Sequence, residues 1–180
     1  MFKGSFFIEI IETFLTSVIV LFVVYMWVAM PEMVYGASME PNFHTGERIL
    51  VEKITKHLKE YQRGEVVVLN PPGDDNIDYI KRIVGVPGDI VKIKDCDVFV
   101  LTEGQKFKLD ENYLSEGTCT NAGPKLQEGR SVQLEEGQYL VLGDNRGESA
   151  DSRLFGLVDE NRILGRVLFR FWPVNKAGFL

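Results

Sequence analysis

Apolar positions follow two regimes along this chain. From Phe14 to Met30 they run on as FLTSVIVLFVVYMWVAM, without a single charge. As a helix, that run covers about 26 Å, close to the hydrocarbon thickness of a bilayer. The pattern predicts a transmembrane helix with Pro31 as its stop. Glu9 and Glu12 share a helix face at headgroup depth, and Tyr25 and Trp27 suit the opposite interface. Lys3, before the span, points to a cytoplasmic N-terminus. A cleaved signal peptide is a competing reading, but the run exceeds the usual ~7–15 apolar residues and no clean Ala-x-Ala site follows. A buried core helix would carry an amphipathic pattern, which is absent here.

Beyond the span, apolar residues alternate or come in short runs bounded by Gly, Pro and Asn. Residues 48–53, 64–69, 78–84, 90–93 and 98–101 read as strands. Residues 131–134, 139–142 and 166–172 read as later ones. Asn70-Pro71-Pro72-Gly73 and Pro87-Gly88-Asp89 supply turn chemistry between them. Residues 102–130 are polar and Gly-rich without periodicity, and read as a surface excursion carrying a short hairpin. Many short strands at this spacing predict a mostly β chain. The expected layout is an N-terminal transmembrane anchor over residues 1–31. An antiparallel, sandwich- or barrel-like β domain over residues 32–180 follows it.

Composition narrows the picture. The chain's 180 residues suit one domain plus an appendage, and 45% hydrophobic content is enough for a core. The net charge of −6, with no basic stripe, argues against nucleic acid as a partner. Cys96 and Cys119 form no CxxC pair; they are either one disulfide or two separate core residues. His44 and His57 sit in polar surroundings, outside any metal-ligand pattern, so no metal is expected.

Three stretches carry candidate chemistry. Ser38 lies between Gly36-Ala37 and Met39-Glu40-Pro41, so its hydroxyl is open to a bulky reactant. Most serines are turn or cap residues, so a nucleophilic role depends on what the rest of the chain supplies. Lys81 lies among Ile80, Ile83 and Val84. On an exposed face it is an ordinary strand lysine. Turned inward, its ammonium form is penalised, and Arg82 adds repulsion if the charges are close. A neutral amine there can take the proton of a serine hydroxyl. The third stretch, residues 143–153, is a polar turn in which Asp144, Arg146, Asp151 and Arg153 could cross-brace one another. Ser149 could orient an amine by hydrogen bonding.

Together these stretches resemble the bacterial type I signal peptidases, membrane-anchored serine proteases of the Ser–Lys kind. The matching blocks are Ser38-Met39-Glu40-Pro41, Arg63 to Val68, Tyr79 to Asp89, and Gly143 to Arg146 with Ser149, Asp151, Ser152, Arg153 and Phe155-Gly156. They occur in family order behind an apolar span. The resemblance implies Ser38 as nucleophile and Lys81 as general base. It implies Ser149 as the holder of the amine, with Asp144, Arg146, Asp151 and Arg153 bracing the site. It places Val34, Tyr35, Gly36, Met39, Tyr79 and Ile80 around the substrate, which is cut after small residues at −1 and −3. It implies preprotein signal peptides, membrane lipid and the secretion translocon as partners, with the catalytic domain on the extracytoplasmic face of the cell membrane and no cofactor. Two departures stand out. Asn42 replaces the usual threonine, and Gly36 stands where some members carry a serine hydroxyl facing the oxyanion. Two other readings are a self-cleaving repressor-type protease, which shares G-x-S-M, and a non-enzymatic anchored β module with Lys81 facing solvent.

Overall fold

The computed structural model describes residues 3–54 and 58–180, with side chains left out at residues 3–5, 26 and 27. His57 therefore lies outside the described residues. Helix α1 (Lys3–Trp27) contains an apolar stretch, Phe6–Tyr25, long enough to cross a bilayer, and none of it is buried. The hydroxyls of Thr13, Thr16 and Ser17 are satisfied inside the helix. Thr13 Oγ1 donates to Glu9 O at 2.8 Å and Ser17 Oγ to Thr13 O at 2.7 Å. That disposal of hydroxyls is what an apolar surrounding demands.

The helix ends at Trp27, before Pro31. Residues 29–33 instead form strand β1 (Ala29–Met33), which pairs with β2 (Arg48–Glu52). Pro31 sits inside a strand, not at a helix stop. It is tolerated because β1 is the edge of its sheet, where a missing N–H breaks no ladder on the open side.

The rest is almost wholly antiparallel β. One eight-stranded sheet runs in the order β1-β2-β11-β3-β4-β9-β10 and curls into a half barrel, with β12 (Gly178–Phe179) paired to β11. Its other members are β3 (Val66–Leu69), β4 (Tyr79–Gly85), β9 (Gln138–Leu142), β10 (Val158–Asp159) and β11 (Ile163–Trp172). A second sheet, in the order β7-β6-β5-β8, comprises β5 (Ile90–Lys94), β6 (Asp97–Thr102), β7 (Gln105–Lys108) and β8 (Ser131–Gln133). The expected hairpin in the excursion is β6–β7, paired from Phe99–Lys108 to Thr102–Gln105. The two cysteines form a disulfide, which ties the β5–β6 turn to the excursion.

Strand β4 positions the chemistry. It lies between β3 and β9, with Lys81 opposite Val67. Both of its faces are covered, so Ile80, Lys81, Ile83 and Val84 are all buried. Ile80 joins a core cluster with Val34, Met39, Phe43, Ile49 and Val68, while Val84 joins a second cluster under the smaller sheet. A strand buried on both sides reads as a continuous apolar run rather than a strict alternation. A short helix α2 (Ser152–Phe155), capped by the Asp151 side chain accepting from Arg153 N, had no counterpart in the sequence pattern.

Candidate active site

Ser38 stands on the turn that leaves β1. Val34 and Met39 flank this turn and are 4% and 1% exposed, so both ends are pinned in the core. Between them Gly36 adopts φ +85°, a left-handed conformation that favours glycine. Thr45 clamps it from both sides: its Oγ1 accepts from Gly36 N at 3.0 Å and donates to Gly36 O at 3.2 Å. The turn closes with Glu40 N donating to Ala37 O and Phe43 N to Met39 O. Among the described residues, the Ser38 N–H donates no backbone hydrogen bond.

Lys81 reaches this turn from β4. Its Nζ lies 2.8 Å from Ser38 Oγ and 2.9 Å from Ile80 O. The residue is 3% exposed. Burial pushes its amine down from 10.5 to about 8, while the charges of Asp151 and Asp144 pull the other way. The Tyr79 ring lies 4.9 Å from Nζ. Arg82 adds no repulsion. Strand alternation turns it to the other face, where Nε and Nη2 grip Asp144 at 2.8 and 2.6 Å.

The polar turn over residues 143–153 lies against this pair, and only one of the two pairings its charges suggested forms within it. Asp151 does hold Arg153, through two bonds of 2.8 Å, and accepts from Gly143 N at 3.0 Å. Asp144, however, is paired with Arg82 and accepts from Asn42 Nδ2 at 2.8 Å. Arg146 is paired with Glu111, bonds Thr120 Oγ1, and donates from Nε to Gly143 O at 3.1 Å. The physical reason is location: Asp151 caps the helix that carries Arg153 and meets it locally, while β4 and the excursion bring opposite charges alongside Asp144 and Arg146. Asn145 N donates to Ser38 O at 3.0 Å, so the turn touches the backbone of Ser38 itself. A Cβ at Gly143 would stand 2.2 Å from Ser149 Oγ and 2.4 Å from Ser38 O, so only glycine permits this approach. Ser149 Oγ is buried beside it with no hydrogen-bond partner among the described residues, so the expected bond to Lys81 Nζ is not formed here.

A groove of about 300 Å³ opens over the Ser38–Lys81 pair. Val34, Tyr35, Gly36, Tyr79 and Ile80 line it, as the sequence suggested; Met39 does not, being spent on the core. Ile49 and Val68 add apolar wall, and Glu32, Asp78 and Glu148 add carboxylates that no motif marked. Thr45, Asn42, Arg82, Glu111 and Thr120 are further contributors the sequence reading missed as site residues. Of these, Arg82 carried a local signal by adjoining Lys81, and Asn42 by following the Ser38-Met39-Glu40-Pro41 block. Among the described residues no group of His, Cys, Asp and Glu is placed to hold a metal. Among the described residues, β1 is an edge strand, and its Glu32 and Met33 line the groove.

Comparison with known proteins meets this geometry. The chain is 38% identical over 178 residues to "Probable signal peptidase I-2" of Synechocystis sp. (strain ATCC 27184 / PCC 6803 / Kazusa), covering 96% of this chain and 77% of that one. It is 37% identical over 179 residues to signal peptidase I of Bacillus licheniformis, covering 97% and 92%. It is 38% identical over 185 residues to signal peptidase IB of Staphylococcus aureus (strain Mu50 / ATCC 700699), covering 94% and 91%. Residues 7–172 match the model of the family described as "Signal peptidase, peptidase S26". That match takes in the span, the Ser38 turn, β4 and the 143–153 turn together, and the chain belongs to the peptidase S26 family of signal peptidases.

Proposed function

We propose that this chain removes signal peptides from preproteins by a Ser38–Lys81 mechanism, at the surface of the membrane its N-terminal helix spans. The carrying observation is the 2.8 Å approach of a buried lysine amine to a serine hydroxyl at the floor of an open groove. A solvent-facing Lys81, as an inert module would have, is at odds with its burial.

The chemistry follows from the contacts. Neutral Lys81 takes the Ser38 hydroxyl proton as Oγ attacks the scissile carbonyl carbon. The resulting oxyanion meets the Ser38 N–H, since Gly36 offers no hydroxyl. The Lys81 ammonium then gives its proton to the leaving amine, and the acyl ester stays on Ser38. A water deprotonated by Lys81 hydrolyses that ester and restores both groups. Asp144, Arg146, Asp151 and Arg153 hold the turn that supports the pair. Ser149 serves the Lys81 amine once substrate seals the groove.

Substrate binds as an added strand on the open edge of β1, its alternate side chains entering the groove. Val34, Tyr35, Ile80 and Tyr79 leave room there for small residues at −1 and −3. Residues 1–31 act as the anchor and residues 32–180 as the extracytoplasmic catalytic part. Ser38 follows Trp27 by 11 residues (38 − 27), so it stays within about 40 Å of the helix end. Tethering at that depth concentrates enzyme and membrane-held preprotein, beside lipid and the translocon, in one plane.

The test is cleavage of a preprotein by the purified chain in detergent, with mass analysis of the products. The native chain cuts once, after a small residue. Ser38→Ala and Lys81→Ala leave the substrate whole while unfolding cooperatively. Cleavage by either variant refutes the mechanism.

A further inference from the structure

Part of the surface excursion does more than connect strands. Residues 109–120 follow β7 and lie against the 143–153 turn. Glu111 holds Arg146 through both carboxylate oxygens, one at 3.1 Å, and accepts from Tyr113 OH at 2.6 Å. Arg146 is 3% exposed, so Glu111 is the counter-charge of an enclosed guanidinium. Tyr113 acts on the other half of the turn. Its ring lies 4.1 Å from the Arg82 guanidinium, and its carbonyl accepts from Asn42 Nδ2 at 2.7 Å. Arg82 and Asn42 are the side chains that fix Asp144. The base of this arm is anchored twice, by the Cys96–Cys119 disulfide and by Thr120 N donating to Cys96 O at 3.0 Å.

The consequence reaches the nucleophile in two steps. Arg146 Nε holds Gly143 O, and Asn145 N holds Ser38 O. Gly143 packs too closely on Ser38 O and Ser149 Oγ for any shift to leave them in place. Loss of Glu111 leaves an enclosed cation unpaired, and the turn must move to rehydrate it. Loss of the Tyr113 ring frees Arg82 to turn from Asp144. Neither side chain lines the groove, so neither meets substrate.

We propose that Glu111 and Tyr113 are positioning residues for Ser38 and Lys81, holding the 143–151 turn against the nucleophile from outside the groove. The assignment rests on the peptidase reading. It predicts a loss in turnover without a loss in substrate binding, because the groove walls are untouched while the reacting atoms shift. A misplacement near 1 Å costs about 100-fold in rate.

The experiment compares the full-length chain with Glu111→Gln, Tyr113→Ala and Tyr113→Phe in detergent, on one preprotein. Rates are normalised to the folded fraction from near-ultraviolet circular dichroism. Glu111→Gln and Tyr113→Ala lower kcat by about 100-fold and leave KM within about twofold, the pattern of an interaction that serves the transition state. Tyr113→Phe regains most of the rate, since it keeps the ring under Arg82 and the carbonyl to Asn42. Unchanged kcat per folded molecule in both Glu111→Gln and Tyr113→Ala overturns the proposal and leaves these residues a structural role. A rise in KM at constant kcat overturns it as well, by making them binding residues. An inert native chain would instead sink the peptidase reading on which the proposal rests.

Discussion

Replacing Lys81 by methionine should make the protein more stable and wholly inactive. Methionine has similar length and no charge. In the folded chain burial brings the Lys81 amine from 10.5 to about 8. That gap corresponds to roughly 3 kcal/mol. The sign follows from proton counting. Between pH 8 and 10.5 the unfolded chain keeps a proton that the folded chain has lost, so stability rises with pH across that window. Below pH 8 both states are protonated and the cost of burying the cation is present in full. Methionine removes that cost but strands Ile80 O, whose lost hydrogen bond offsets about 1 kcal/mol. The net gain at pH 7 is about 2 kcal/mol; above pH 10.5 the charge cost is gone and the lost hydrogen bond leaves the variant about 1 kcal/mol less stable than the native chain. Denaturant unfolding of both proteins at pH 7 and above pH 10.5 measures it. The same titration sets the rate: kcat/KM of the native chain should rise through about pH 8, because the base works only when neutral. A variant that is less stable than the native chain by the same amount at both pH values, or a native rate flat from pH 5 to 10, would refute the reasoning.

Three other perturbations probe the surroundings of that amine. Asp144→Asn strips Arg82 of its charged partner and should cost about 3 kcal/mol of stability. It also removes a negative charge that raises the Lys81 pKa, so the acid limb of the rate profile should move to lower pH; movement to higher pH contradicts the assignment. Gly143→Ala puts a methyl 2.4 Å from Ser38 O and should lower kcat by about 100-fold, while Gly147→Ala, whose nearest neighbour is 4.0 Å away, should turn over normally. Equal activities would show that the close approach is not needed. Tyr61→Phe deletes a buried hydroxyl that has no partner among the described residues, and should raise the unfolding free energy by about 1 kcal/mol. A clear drop in thermal midpoint would mean that the hydroxyl is satisfied after all.

Much of this protein is legible without coordinates. A charge-free run has one inexpensive setting, a helix in lipid, because length and polarity are additive along the chain. Short apolar segments between Gly and Pro turns dictate antiparallel strands, since backbone groups must pair and the turns are too short for crossovers. The blocks around Ser38, Lys81 and Gly143 mark the candidate site because the proposed chemistry tolerates few alternatives there. Periodicity, however, fixes which face a side chain takes and not which neighbour it meets. Ser38 and Lys81 are 43 positions apart, and only the stacking of β1, β2, β11, β3 and β4 into one curled sheet brings them to 2.8 Å. Asp144 chose Arg82 over Arg146 for the same reason, and Arg146 chose Glu111 from a stretch with no period at all. Pro31, which reads locally as a helix stop, became an edge-strand residue once β2 lay beside it. The sequence by itself determined the apolar helix, the β class and the candidate reacting groups. The tertiary structure decided the partners of Asp144 and Arg146 and the burial that lowers the Lys81 pKa, because these depend on distances through space between residues far apart along the chain.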